Sequence, residues 1–350
     1  MTHKTRHIEE LSYFNAIACL LVVFIHVSSY GITYASPDSL QAALLYFPWR
    51  LSAFVVPAFL FSSALKMALH FQENTTLLDY LKYVTGKFRT IYLPYAAWNV
   101  VYLIAFLFIG YATFSPVLFL KNLFWGSLSS PFYYIVIAMQ FYLLQPLWNW
   151  IIRHIPWYTA LPISILITFA ASKMNSILSL WELEFPYVDR IFPTYLIFWV
   201  LGLYIGQNYE TIRARLDRST SGIVSSLSVI IIFSFVTYLQ YSRGIWLFDM
   251  TYFKIFTDIL SISILLQICL KLNEAAPLVR KTLSFVSSAS FSVYLSHCLV
   301  LTLATHFLMV GGIQKISAIL MVRFLVCYSV PFILYKLGAI LHPGTPKRSR

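Results

Sequence analysis

The chain has little charge. Charged residues make up 11% of its 350 residues, where soluble domains carry about 25%. That deficit, with 59% hydrophobic residues, excludes a soluble enzyme or binding module and leaves an integral membrane protein. Cysteine is scarce too. Cys19, Cys269, Cys298 and Cys327 all sit in apolar stretches, so they read as small buried hydrophobes with no disulfide framework and no metal-ligand spacing, and no metal is expected. No Gly-x-x-x-x-Gly-Lys-Ser/Thr loop is present, so direct use of ATP is not expected. Internal repeats, inverted symmetry and low-complexity segments are also lacking. The first apolar run follows the charged stretch Lys4 to Glu10 without a small-x-small cleavage site, and it reads as a retained helix, not a signal peptide.

What the chain does have is long apolar runs. A spanning helix needs roughly 20 such residues. Runs of about that length cover 11–30, 44–65, 90–112, 132–152, 156–173, 190–208, 222–240, 252–270, 285–310 and 316–338, the fifth being short and carrying Pro162. The nine tryptophans fall mostly near run ends, as interfacial belts require. The net charge of +12 does not point to nucleic acid, because the basic residues are scattered in short loops. Their scatter follows the positive-inside rule instead. One set of segments carries Lys4, Arg6, Lys66, Lys82, Lys87, Arg89, Arg153, Arg213, Arg215, Arg218, Lys271, Arg280, Lys281, Lys347, Arg348 and Arg350. The alternate loops carry the acids Asp38, Glu182, Glu184, Asp189 and Asp249. The expected fold is therefore an all-α polytopic membrane helix bundle of about ten transmembrane helices with both termini cytoplasmic. A single membrane domain over 1–340 and a short basic tail over 341–350 are expected, with a modest polar connection over 66–89.

Titratable groups inside these runs are the candidates for chemistry, since a charge or imidazole in hydrocarbon is costly and persists for a role or a satisfied network. His26 lies toward the outer end of the first run and His297 near the middle of the ninth. Arg50, Asp258 and Arg323 also lie in the outer half, with Asp189 and Arg190 at the outer start of the sixth run. Plainer readings stand beside each: the histidines can satisfy neighbouring helices, Asp258 and Arg323 can form a structural ion pair, and Arg50 and Arg190 can snorkel.

Several segments, in order, match the motifs of one membrane-protein family. The first is Leu11-Ser-Tyr-Phe-Asn-Ala-Ile-Ala-Cys-Leu-Leu-Val-Val-Phe-Ile-His26, similar to the family's opening helix with its arginine, ten residues and histidine. Here Asn15 stands at the arginine position and Ser12 where an aspartate usually precedes it. Val56-Pro57-Ala-Phe-Leu-Phe-Ser-Ser63-Ala64 resembles a Val-Pro-x-Phe-Phe-x-x-Ser-Gly segment, with Ala64 for glycine. Lys87-Phe-Arg89 before Leu93-Pro94-Tyr95 and Trp98, Phe132-Tyr-Tyr-Ile with Gln140 to Pro146, and the Gly202 and Gly206 end of the sixth run follow. Ser290-Phe-Ser-Val-Tyr294-Leu-Ser-His297 resembles the family's Ser-x-x-x-Tyr-Leu-x-His. Running from about residue 8 to 310, these segments together resemble the integral-membrane acyltransferase family 3, closest to the branch acting on adhesin-type polysaccharides.

The resemblance implies a membrane O-acyltransferase that moves an acyl group, acetyl foremost, from acetyl-CoA or another acyl-CoA as cosubstrate to a hydroxyl of a cell-surface or lipid-linked glycan. It implies His26 as base or acyl relay and His297 as its partner, since neutral imidazole suits proton removal near neutral pH. Asn15, Arg50, Ser63, Tyr294, Asp258 and Arg323 become candidates for holding substrate or the oxyanion. Lys82, Lys87 and Arg89 become candidates for the coenzyme phosphates, beside their ordinary reading as positive-inside charges. Tyr34, Trp125, Trp181 and Trp246 could stack on sugars or anchor the interface. The implied setting is a bacterial cell membrane, with the lipid bilayer, the glycan and polysaccharide-synthesis machinery as partners and no nucleic acid. Two readings from other classes stay open: a transporter or flippase of polysaccharide or lipid-linked sugar, and a silent scaffold within a synthesis complex.

Overall fold

Each apolar run expected to be helical is helical in the computed structural model, which describes residues 8–71, 76–218, 221–245 and 250–341 and contains no strand among them. The expected charges Lys4, Arg6, Asp249, Lys347, Arg348 and Arg350, the aromatic Trp246 and the tail beyond 341 lie outside the described residues. In chain order come α1 (Glu9–Tyr34), α2 (Leu40–Leu51), α3 (Val55–Leu69), α4 (Leu77–Lys87), α5 (Leu93–Phe108), α6 (Pro116–Trp125), α7 (Tyr133–Leu143) and α8 (Gln145–His154). They are followed by α9 (Trp157–Ser172), α10 (Met174–Leu178), α11 (Leu196–Gln207), α12 (Tyr209–Arg218), α13 (Ser221–Arg243), α14 (Met250–Lys271), α15 (Pro277–Val310), α16 (Ile316–Cys327) and α17 (Val330–Leu341).

Among the described residues, seven helical stretches are long and apolar enough to cross a membrane, and nine if each of two bent pairs is one span. The sixth expected run is a shorter apolar helix, Phe192–Gln207. Reaching ten requires counting both bent pairs and this short helix as one span each. Large apolar side chains lie exposed along the helices, among them Ile104, Leu166, Ile232 and Leu325. In water so much exposed apolar surface would be a liability, whereas in a bilayer it is the lipid-facing side.

Proline accounts for one of the two sharp bends. α7 and α8 meet at 58° around Leu144, because Pro146 has no N–H to continue the ladder and its ring crowds the preceding turn. The other bend, 57°, falls at Lys173 between α9 and α10, while Pro162, the feature that weakened this run in the sequence, sits inside an unbroken α9. The connection over 66–89 differs from the modest polar link expected. Thr76 and Asp79 form a capping box that starts α4, and a π-helical turn, Phe88–Tyr92, joins it to α5 ahead of Pro94. The wider turn accommodates a proline that cannot donate to the residue four before it. The third span thus begins at Leu77, and Lys82, Lys87 and Arg89 are helical.

The helices form two compact units, one reaching to Phe59 and resuming at Glu210, the other running from Leu60 to Tyr209. In the first, α1 is the central helix and packs against α2, α14, α15 and α16. Gly31 allows this: a Cβ there would lie 2.4 Å from the Leu45 side chain and 2.9 Å from Leu320. In the second unit α11 packs directly on α3. A Cβ at Gly202 would lie 2.4 Å from the Phe61 carbonyl oxygen and 2.9 Å from the Ala64 Cβ, and one at Gly206 would lie 2.7 Å from both the Ala68 Cβ and the Leu65 carbonyl oxygen. Two glycines four apart facing two alanines are the small-residue seam that lets membrane helices touch backbone to backbone.

Candidate active site

The first unit brings the two histidines together. The ring centroids of His26, on α1, and His297, on α15, are 5.1 Å apart with planes tilted by 50°. His26 is half-buried and His297 is fully buried. His297 Nδ1 lies 3.0 Å from the Val293 carbonyl oxygen and 2.8 Å from that of Tyr294. Both partners only accept, so Nδ1 carries the hydrogen and Nε2 keeps its lone pair. That Nε2 atom is buried and has no hydrogen-bond partner among the described residues. The imidazole is thus locked by its own helix in the tautomer that can accept a proton or bind an electrophile. Ring nitrogens of both histidines and the Cys298 sulfur all lie within 4.8 Å of one another. Sequential spacing could not show this trio, because α1 and α15 are about 270 residues apart in the chain and only their packing joins them.

Arg323, buried on α16, fixes the helix that carries His26. Its Nη2 donates to the His26 carbonyl oxygen at 2.7 Å, its Nε to that of Val27 at 3.2 Å and its Nη1 to the Thr305 hydroxyl at 2.7 Å. The guanidinium also lies 5.3 Å from the centre of the Tyr30 ring. Arg323 does not pair with Asp258, which was one reading open from the sequence. Asp258 instead accepts from Lys254, one turn earlier on α14, at 2.5 Å, and Arg50 is its more distant electrostatic neighbour. Arg50 lies over the Phe233 ring at 4.6 Å.

Asn15 and Tyr294 also belong to this unit. Asn15 precedes His26 by eleven positions, which puts both on one face of α1 about 16 Å apart along the axis. Tyr294 is buried, with its ring 6.1 Å from that of His297. Its carbonyl helps to set the histidine tautomer, a role that no side-chain motif announces.

The remaining expected residues lie in the second unit. The Ser63 hydroxyl hydrogen-bonds with Tyr134. Lys87 sits over the Tyr142 ring at 4.3 Å, with Tyr83 at 5.4 Å, while Lys82 and Arg89 are exposed. Arg190 staples the loops at one end of this unit. Its Nη1 donates to the Trp125 carbonyl oxygen at 2.8 Å, it pairs with Asp189 at 3.5 Å, and its own carbonyl accepts from Gln140 at 2.8 Å. Trp125 stacks flat on Tyr187 at 4.4 Å, so one face of its ring is already covered, while Tyr34 and Trp181 are exposed.

Reading the sequence missed a buried acid. Glu10, near the start of α1, takes Arg213 Nε at 3.3 Å and Asn273 Nδ2 at 3.3 Å. It was passed over because it stands at the edge of an apolar run, where an acid reads as loop charge. Lys254 and Thr305 were missed as well: Lys254 meets Asp258 one turn along the same helix, and Thr305 matters through Arg323 on the neighbouring α16.

The chain is similar to two relatives that carry the same printed name, probable poly-beta-1,6-N-acetyl-D-glucosamine export protein. The one from Staphylococcus aureus (strain MSSA476) is 23% identical over 312 residues, 83% of this chain and 82% of the relative. The one from Staphylococcus epidermidis is 24% identical over 310 residues, 83% of this chain and 81% of the relative. No solved structure matches. The family model for acyltransferase family 3, described as an acyltransferase domain, matches residues 8–337, nearly the whole chain, and with its motifs laid along a polytopic helical bundle this protein belongs to that family of membrane acyltransferases.

Proposed function

We propose that this protein carries an acyl group, acetyl foremost, from cytosolic acyl-CoA to a hydroxyl of a cell-surface or lipid-linked glycan in a bacterial plasma membrane. The observation that carries the reading is the His26–His297 pair, in which a buried Nε2 lone pair faces a second imidazole inside a membrane bundle. A neutral imidazole there accepts the proton of the attacking hydroxyl as the new carbon–oxygen bond forms and the thioester carbon–sulfur bond breaks, and the proton then leaves with the coenzyme thiol. In the relay version His26 nitrogen first takes the acyl group from the thioester and the sugar hydroxyl then displaces it. His297 holds or returns the proton in either version, and Arg323 keeps the backbone of His26 in place. With both termini cytoplasmic, His26 stands toward the outer side, which suits a donor and an acceptor on opposite faces.

A second reading is favoured by the relatives' names: export of a polysaccharide, with no chemistry on the chain. The two readings part in one experiment. Inverted membrane vesicles receive radiolabelled acetyl-CoA, with wild type and His26→Ala at matched expression. Label that enters glycan or protein in the wild type and is lost in the variant supports acyl transfer. Glycan that still crosses the membrane without label entering it, in both proteins, supports export.

A further inference from the structure

We propose that His26, His297 and Cys298 bind one soft or borderline metal cation, with zinc as the best match, and that its occupancy withdraws His26 from chemistry. The second half rests on the acyl-transfer reading, whereas the binding site does not.

Three observations support the site. The donor atoms lie within 4.8 Å of one another, two of the three residues being buried. The donors are two imidazoles and a thiol, with no carboxylate in the group, a set that suits zinc or cuprous ion and disfavours magnesium and calcium. His297 already has the second shell of a metal-binding imidazole: Nδ1–H is held by the Val293 and Tyr294 carbonyl oxygens, and the buried Nε2 has no hydrogen-bond partner.

Geometry and charge are compatible with it. Donors around a tetrahedral zinc with bonds of 2.0–2.3 Å lie about 3.3–3.8 Å apart. Closing a 4.8 Å separation to that range takes about 1–1.5 Å, the scale of side-chain rotation, and His26 is only half-buried. Arg323 is the cation facing this region from α16, and its three hydrogen bonds go to the His26 and Val27 carbonyls and the Thr305 hydroxyl. Binding releases the Cys298 proton, and the thiolate offsets one of the two metal charges. A three-donor site leaves a fourth position open, unlike the closed four-ligand sites of structural zinc. A metal on His26 nitrogen occupies the lone pair that acyl transfer needs.

The test uses the full chain purified in detergent and stripped with a chelator, with Co2+ as the spectroscopic probe in place of zinc. We expect one equivalent of Co2+ to produce a thiolate-to-cobalt charge-transfer band in the wild type. Cys298→Ser, which keeps size and helix, should lose the band and bind at least about tenfold more weakly, and His26→Ala should weaken binding similarly, both variants eluting as the wild type does on size exclusion. A wild type without the band, or a Cys298→Ser protein that binds Co2+ as well as the wild type, overturns the site. In vesicles, zinc should inhibit label transfer by the wild type and leave Cys298→Ser active; transfer unaffected by zinc in a protein shown to be loaded overturns the coupling to His26. Absence of transfer from metal-free wild type counts against the acyl-transfer reading alone, because the cobalt band still decides the site.

Discussion

Arg323 Nη2 donates to the backbone carbonyl of His26 at 2.7 Å across 297 residues of chain. The arginine thus acts on the histidine through its backbone, and with Nε on Val27 it grips α1 at two successive carbonyls. This gives Arg323 a positioning role that does not require it to touch substrate.

Arg323→Lys therefore keeps the charge but loses the fork that spans two carbonyls and a hydroxyl. Acyl transfer should fall roughly 10- to 100-fold, the scale of a small misplacement of the reacting group. Detergent stability should change little. A lysine variant with wild-type transfer would remove the positioning role.

His297→Asn keeps a polar side chain near the Val293 and Tyr294 carbonyls but removes the Nε2 lone pair. Transfer should drop by about 10²–10⁴, the range for a lost proton-transfer group, while the protein elutes normally. If the loss instead tracks unfolding, measured as a matching fall in thermal midpoint, His297 is a core residue only.

Gly202→Ala puts a methyl 2.4 Å from the Phe61 carbonyl oxygen, which as backbone cannot swing aside. We expect destabilisation of about 1–3 kcal/mol and poor recovery of folded protein from membranes. The control is Gly86→Ala on α4, where a Cβ meets nothing within 4 Å; that change should be neutral or stabilise by up to about 1 kcal/mol through helix propensity.

Glu10→Gln removes the charge that holds Arg213 to the start of α1, a pair in which the acid is buried and the arginine about one third exposed. Breaking fully buried pairs costs about 3–5 kcal/mol; partial exposure of the arginine brings the expectation to about 1–2 kcal/mol. A thermal-shift series in detergent checks it, and Glu10→Gln with Arg213→Gln should lose less than the sum of the two.

Lys87 stands against Tyr142 and Tyr83, half-buried, beside the exposed Lys82 and Arg89. If these charges meet the coenzyme phosphates, Lys87→Gln should raise the KM for acyl-CoA several-fold with kcat nearly unchanged, since uniform binding is what it removes. An unchanged KM would return Lys87 to its plain reading as a topology signal.

Composition and hydropathy by themselves determined the class of this protein. A backbone in hydrocarbon must satisfy its own hydrogen bonds, so long apolar runs have helices as their outcome. The runs read from sequence fall on helices, but these start well ahead of the runs at Leu77 and at Pro277, and they break inside runs, as at 52–54 and 328–329. His26 and His297 were also legible, because an imidazole in such a run stands out against its surroundings. Partners were not legible. Asp258 could have met Arg323 or Lys254, and only the packing of α14 and α16 around α1 sent the acid to its own helix and the arginine to the carbonyls of His26 and Val27. The same packing turned Cys298 from one apolar residue among many into a neighbour of both histidines. Side chains on different membrane helices meet according to helix rotation and closest approach. Those are set by small-residue seams and interhelical hydrogen bonds summed over the bundle, and no local stretch of sequence records that sum.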